Sequence, residues 1–184
     1  MFFQNSRVNI LAMDIIVYSS GKAVFNAKEY SCVFGKNGVT GDKKEGDGKT
    51  PIGCFPLRKV FYRPDKIEKP RTKLPIEEIK KDDGWCDSPR LAEYNRKVKL
   101  PFAGSHEKLW RGEDNLYDII AVIGYNDDPI IPEKGSAIFI HIARPAFTPT
   151  AGCVAFRKKD LLEILKYCDS STKICINNKA YLCH

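Results

Sequence analysis

Two runs of apolar residues, "YDIIAVIGY" at 117–125 and "SAIFIHIA" at 136–143, are the strongest constraint on what this chain can fold into. Each is apolar nearly throughout rather than alternating, so neither suits a strand with one face in water. Both fall short of the roughly 18 residues that would span a bilayer. They therefore read as central strands covered on both faces. At 184 residues, 43% of them hydrophobic, the chain is long enough to bury such a sheet within one domain of ordinary size.

The flanking sequence fills in a mainly β domain of α+β type. "DIIVYSS", "KAVFNA" and "EYSCVFG" are rich in Val, Ile, Tyr and Phe, with "SSGK" as a hairpin turn between the first two. "GKNGVTGDKKEGDGKTP" places five glycines in a polar stretch and reads as loop, after which "IGCFPLRKVFYR" resumes a strand pattern. Residues 64–116 look irregular, with one short helix expected at "PIEEIKK" (75–81). Trp85 and Trp110 fall in this stretch and are expected outside regular elements, covering a core edge or lining a groove. "NDDPIIPEKG" is turn chemistry between the two apolar strands. Leu161, Leu162, Ile164 and Leu165 recur at helical spacing and predict a helix over about 158–168. "KICINNKAYLC" closes the chain as strand, Asn-containing turn and strand. Met13 stands directly before the first strand, so 1–12 read as an N-terminal extension, expected to be disordered, and 13–184 as a single domain.

Thirty basic residues against twenty-three acidic give a net charge of +7, which favours acidic partners. The lysines of "GDKKEGDGK", "IKKDD" and "FRKKD" are interleaved with acids, the pattern of a solvated surface rather than a nucleic-acid stripe. Seven cysteines cannot all pair internally, and none of their spacings is C-x-x-C. The gaps between Cys168, Cys175 and Cys183, with His184 beside the last, do not match zinc spacings, so no metal site is expected. Most of the cysteines read as small buried hydrophobes. The first residues lack the charged region, apolar segment and cleavage site of a secretory signal.

Chemistry concentrates in "HIARPAFTPTAGCVAF", residues 141–156. His141 sits at the end of an apolar strand, and Cys153 follows twelve residues later behind a glycine. Packed residue, disulfide partner, metal ligand and nucleophile are all open readings of that cysteine. A strand end and a returning loop can bring the two side chains together. An imidazole in contact with a thiol can take its proton and, once charged, hold the thiolate. Gly152 permits a backbone conformation closed to other residues, Thr150 can hydrogen-bond the same turn, and N–H groups at 152–154, Val154 included, can face a developing oxyanion.

Together with "GDGKTPIGCFPL" earlier in the chain, this stretch resembles the L,D-transpeptidase catalytic domain, also called YkuD. That family carries D-G-x-T-P-x-G-x-F before a strand, then a strand-end histidine, then [S/T]-x-G-C. Asp47, Gly48, Thr50, Pro51, Gly53 and Phe55 fit the first pattern, His141 the second, and Thr150, Gly152 and Cys153 the third. The resemblance spans about 14–167. It departs at Ala151, where the common turn has a second histidine, and at Ala155, where it has Arg or Asn; Arg144 or Arg157 could supply the missing positive group.

The resemblance implies a β-sandwich of curved mixed sheets with a few peripheral helices and a groove holding the nucleophile. It further implies acyl transfer on peptidoglycan stem peptides without a cofactor. Cys153 would attack the carbonyl of the third residue and release the fourth-position D-alanine. The acyl group would pass from the thioester to a side-chain amine, making a 3-3 cross-link, or to water, as an L,D-carboxypeptidase. His141 would be the base. The long 64–116 region is expected to wall the groove with Trp85, His106 and Trp110, and Tyr125 joins them as a candidate substrate contact. The substrate implies the cell envelope, with the cytoplasm as the alternative because no export signal is visible, and the domain is expected to be a monomer without stable membrane insertion and without nucleic acid. The alternative is a catalytically silent module that grips peptidoglycan or another peptide.

Overall fold

Strand alternation sorts the side chains of the two apolar runs onto two different cores. The computed structural model describes residues 14–179, so the 1–12 extension, Cys183, His184 and the expected last strand lie outside the described residues. The strands are β1 (Ile15–Tyr18), β2 (Lys22–Phe25), β3 (Lys28–Val33), β4 (Val39–Thr40), β5 (Thr50–Pro51), β6 (Gly53–Tyr62) and β7 (Ile76–Glu78). They continue with β8 (Asp83–Cys86), β9 (Lys97–Lys99), β10 (His106–Lys108), β11 (Ile119–Ile123), β12 (Phe139–Ile142), β13 (Val154–Phe156) and, after helix α1 (Lys158–Leu165), β14 (Lys173–Asn177).

Nine strands form one mixed sheet in the order β11, β12, β13, β3, β2, β1, β14, β6, β7. The ten-residue β6, next to last in that order, also pairs with β11 at its other end, so the sheet curls over itself. Ile119, Ala121 and Ile123 of β11, and Ile140 and Ile142 of β12, face the inner core with Ile15, Val17, Phe25 and the buried face of α1. Their neighbours Ile120, Val122 and Phe139 face a second cluster with Phe61, Leu109, Tyr117 and Cys153. Both faces of β11 and β12 are buried, as an unbroken apolar run requires. β8, β9 and β10 form a three-stranded sheet whose Trp85 packs on that second cluster.

Three expectations are corrected. Residues 75–81 are not helical: β7 occupies Ile76–Glu78 and runs parallel to the end of β6. Ile76 packs on the inner core, and the flanking Glu77 and Glu78 pair with Lys59 and Lys80, so tertiary pairing overrides a short propensity signal. Trp85 lies on strand β8 rather than in irregular chain. The described residues contain one helix rather than a few, and α1 stops at Leu165, short of 168. Its last turn tightens, with Tyr167 N–H bonding the Ile164 carbonyl and Cys168 N–H the Leu165 carbonyl.

Cys54 and Cys175, 121 residues apart and directly opposed on β6 and β14, form a disulfide, so these two are not simple packed thiols. A cross-link closing so long a loop stabilises by about 2–4 kcal/mol. Reduction is therefore expected to lower the melting temperature by roughly 5–15 °C. The same reductant should leave the melting point of Cys54→Ser unmoved, which calorimetry of the two proteins checks.

Candidate functional site

The five-glycine segment and the turn before β13 are built to fit each other. Gly35 bridges Thr150 in parallel, and Lys36 N–H bonds the Thr150 carbonyl at 2.8 Å. Thr50, fully buried, accepts from Gly35 N–H at 2.9 Å and donates to the Gly152 carbonyl at 2.7 Å. Gly152 has φ +148°, and a Cβ there would lie 2.9 Å from the Lys49 carbonyl oxygen, so only glycine fits. Thr150 Oγ1 then accepts from Gly152 N–H at 3.1 Å and donates to the Cys153 carbonyl at 2.6 Å. The two motifs are thus two halves of one support for Cys153.

Thr50 is the joint between those halves. Thr50→Val leaves a buried donor and a buried acceptor unpaired and should cost roughly 2–4 kcal/mol, whereas Thr50→Ser keeps the hydroxyl and should cost less than about 1 kcal/mol. Denaturant midpoints of the two variants decide the point.

Strand geometry places the histidine. His141 pairs with Ala155 across the parallel β12–β13 ladder, and its side chain shares the outer face of β12 with Phe139. It is 4% exposed, and its ring meets the edge of Tyr117 with centroids 5.4 Å apart. Nδ1 lies 2.9 Å from the Ile142 carbonyl oxygen. A carbonyl can only accept, so the neutral ring carries its proton on Nδ1 and presents Nε2 as a lone pair.

Cys153 lies in the same cleft, 8% exposed. Its Sγ accepts from Phe139 N–H at 3.4 Å and donates to the Ala137 carbonyl at 3.2 Å. Ala137 holds a positive φ of +52°, fixed by its N–H bond to Asn95 Oδ1 at 3.0 Å. Burial pushes the thiol up to about 12 and the imidazole down to about 4, with Arg144 and Arg111 also disfavouring its charge. Both shifts favour the uncharged forms, a thiol on Cys153 and a neutral imidazole on His141.

The cleft encloses about 300 Å³ and also takes in Lys36, Lys43, Glu45, Glu107, Arg111, Tyr117, Arg144, Thr150 and Gly152. Tyr117 and Arg111 both donate to Glu107 at 3.2 Å, and Arg111 clasps Asp114 as well. Among the described residues no group of three or more His, Cys, Asp or Glu could hold a metal ion, and no helix is long and apolar enough to cross a membrane.

Of the expected site residues, His141, Cys153, Gly152, Thr150 and Arg144 line this cleft. Val154 turns its side chain into the inner core and does not line the cleft. Arg157 lies over Phe147, 4.7 Å from the ring centroid, just before α1. Trp85 lines a neighbouring cavity of about 410 Å³ and reaches the cleft indirectly, its Nε1 donating to the same Asn95 Oδ1 that holds Ala137. Trp110 is covered by Arg63 at 3.6 Å. His106 bonds the Gly104 carbonyl in a separate groove with Phe102. Tyr125 stacks edge-on against Phe55 and donates to the Lys134 carbonyl at 2.6 Å. The two tryptophans of 64–116 thus pack against the second cluster instead of lining the cleft. Lys43, Asn95, Glu107, Arg111, Tyr117 and the Ile142 carbonyl were not foreseen.

Two crystal structures of the helical cell shape determining protein Pgp2 from Campylobacter jejuni, the K307A mutant and the unsubstituted protein, are similar to this chain at 17% and 14% identity with TM-scores of 0.38 and 0.37. The similarity covers 91% of this chain but 47% and 48% of those chains, so the chain spans about half their length. No curated protein matches it. The model of the L,D-transpeptidase catalytic domain, YkuD, matches residues 6–176, across both the Thr50 segment and the Cys153 turn, and the chain belongs to that family.

Proposed function

We propose that the domain is a cysteine acyltransferase acting on peptidoglycan stem peptides in the cell envelope, an L,D-transpeptidase that becomes an L,D-carboxypeptidase when water is the acceptor. The observation that carries this reading is that Cys153 shares one cleft with an imidazole whose Nδ1–H is spent on the Ile142 carbonyl. Nε2 then takes the Cys153 proton as sulfur adds to the carbonyl of the third stem residue. Because Gly152 N–H is held by Thr150, the developing oxyanion falls to the N–H of Cys153 itself. The tetrahedral adduct collapses to a thioester and expels the D-alanine amine, which leaves with the proton from Nε2. An acceptor amine, or water, gives its proton back to Nε2 as it attacks the thioester and frees the thiol.

The cations Lys36, Lys43, Arg111 and Arg144 around the cleft suit a substrate bearing carboxylates. A single chain supplies every group used, so the proposed chemistry needs no second copy. The test is incubation with purified disaccharide-tetrapeptide followed by mass spectrometry. The expected result is tripeptide, cross-linked dimer and a transient acyl adduct on Cys153. Saturable binding with none of these products would make the domain a silent peptidoglycan-binding module instead.

A further inference from the structure

Lys43 is a buried cation in a polar stretch where a lysine would ordinarily be solvated. It is 4% exposed, and its ammonium donates to Asp47 Oδ1 at 2.6 Å and to the Lys44 carbonyl at 2.8 Å. Two glycines clear its path. A Cβ on Gly135 would sit 3.0 Å from Lys43 Cγ and 3.4 Å from Nζ, and a Cβ on Gly152 would sit 3.8 Å from Cε. The side chain thus runs between the β11–β12 loop and the turn that presents Cys153, and it lines the cleft. Asp47 is itself fixed by the N–H groups of Lys44 and Lys49 at 2.9 and 2.8 Å. Unlike Arg157, which lies over Phe147, Lys43 lines the cleft itself, in a chain with alanine at positions 151 and 155.

We propose that Lys43, held by Asp47 between Gly135 and Gly152, is the positioning cation of this cleft, setting the positive potential in which the Cys153 thiolate and the oxyanion form. This rests on the acyl-transfer reading for its purpose but not for its test. The titratable groups that line the cleft with Cys153 are His141 on β12, Glu107 on β10, Asp87, Arg111, Tyr117, Arg144 on the β12–β13 loop, Lys36 and Glu45, with Asp47 behind Lys43. Burial first and then Glu107 push the thiol up, opposed by the Phe139 N–H bond and, after it, by the charge of Lys43.

A purely structural ion pair and an electrostatic cation make opposite predictions for its two partners. If the pair only braces the turn, Lys43→Met and Asp47→Asn remove the same brace and perturb Cys153 alike. If the charge acts, K43M removes the favourable potential, whereas D47N removes the anion that offsets it and leaves the ammonium on the Lys44 carbonyl. The measurement is the rate of iodoacetamide labelling of Cys153 between pH 7 and 10, resolved by peptide mass, with melting curves for each protein. K43M is expected to label about tenfold more slowly at a given pH, the effect of one unit in the thiol pKa. D47N should label at the wild-type rate or faster. Slower labelling of D47N, or an unchanged rate in K43M, overturns the proposal; should K43M not fold, the D47N rate decides alone. Labelling needs no substrate, so it stands apart from any failure to turn over stem peptides.

Discussion

Cys153→Ala is expected to abolish turnover, by a factor of roughly 10⁴ or more, while leaving the fold in place. The loss is large because no other group in the cleft can form a thioester. The stability cost is small because alanine removes a single sulfur from a site closed by Phe139 and Tyr117, below about 2 kcal/mol. The other described thiols differ in kind. Cys168 is fully buried and donates to the Ile164 carbonyl beneath α1, and Cys32 sits in the inner core; burial pushes both up to about 12. Cys86 is fully buried on β8. Cys168→Ala and Cys86→Ala should therefore lose stability and keep activity. Mass spectrometry for the acyl adduct, with melting curves for all three variants, separates the cases. A Cys153→Ala protein that still cross-links stem peptides would remove Cys153 from the chemistry.

The parts of this site legible in the sequence are those carried by side-chain type and spacing. A strand-end histidine, a cysteine behind glycine and a distant Thr-Pro segment can be read directly, and the structure joins the last two through one hydrogen bond from Thr50 to the Gly152 carbonyl. The groups that prepare the chemistry are of another kind. The carbonyl that sets the His141 tautomer belongs to Ile142, and every residue has a carbonyl. Asn95 holds Ala137 from 42 residues away, a separation no local pattern records. Lys43 sits among glycines and acids, where composition reads as solvated loop, yet its side chain is buried beside Gly135 and Gly152, both distant in sequence.

The fold follows the same division. The unbroken apolar character of β11 and β12 implies two covered faces, because neither face can meet water. It does not say what covers them, and the outer cover is the small sheet formed by β8, β9 and β10 within a stretch that reads as irregular. Those strands are three or four residues long, too short for alternation to register. The 75–81 segment misleads for a related reason. Pro75 with two apolar residues three apart suits a helix start, yet the same Ile76 fills a core position once β6 offers a free edge beside it.

His141→Gln is expected to lower kcat by roughly 10²–10⁴, the usual contribution of a positioned general base. It should also change the response to acid in two ways. Burial first, then Arg144 and Arg111, depress the imidazole to about 4, so the form that can accept the thiol proton predominates above that value. The acid limb of kcat/KM should accordingly fall near pH 4, well below the ordinary histidine value of about 6.5, and should be missing from the residual activity of the variant. Stability follows the same proton. The unfolded chain binds it at about 6.5 and the folded chain only near 4, so the stabilisation is complete above about 6.5, declines as pH falls, and is gone below about 4. The span corresponds to about 3 kcal/mol. Paired carboxylates such as Asp47 and Asp114 are held low and lose their contribution at more acid pH, which leaves the window from about 6.5 to 4.5 to His141. Melting temperature recorded across that window should slope downward on acidification in the wild type and run nearly flat in His141→Gln. Parallel slopes, together with an acid limb near pH 6.5, would mean that the imidazole is solvated and free to charge, and the neutral thiol–imidazole resting pair would have to be abandoned.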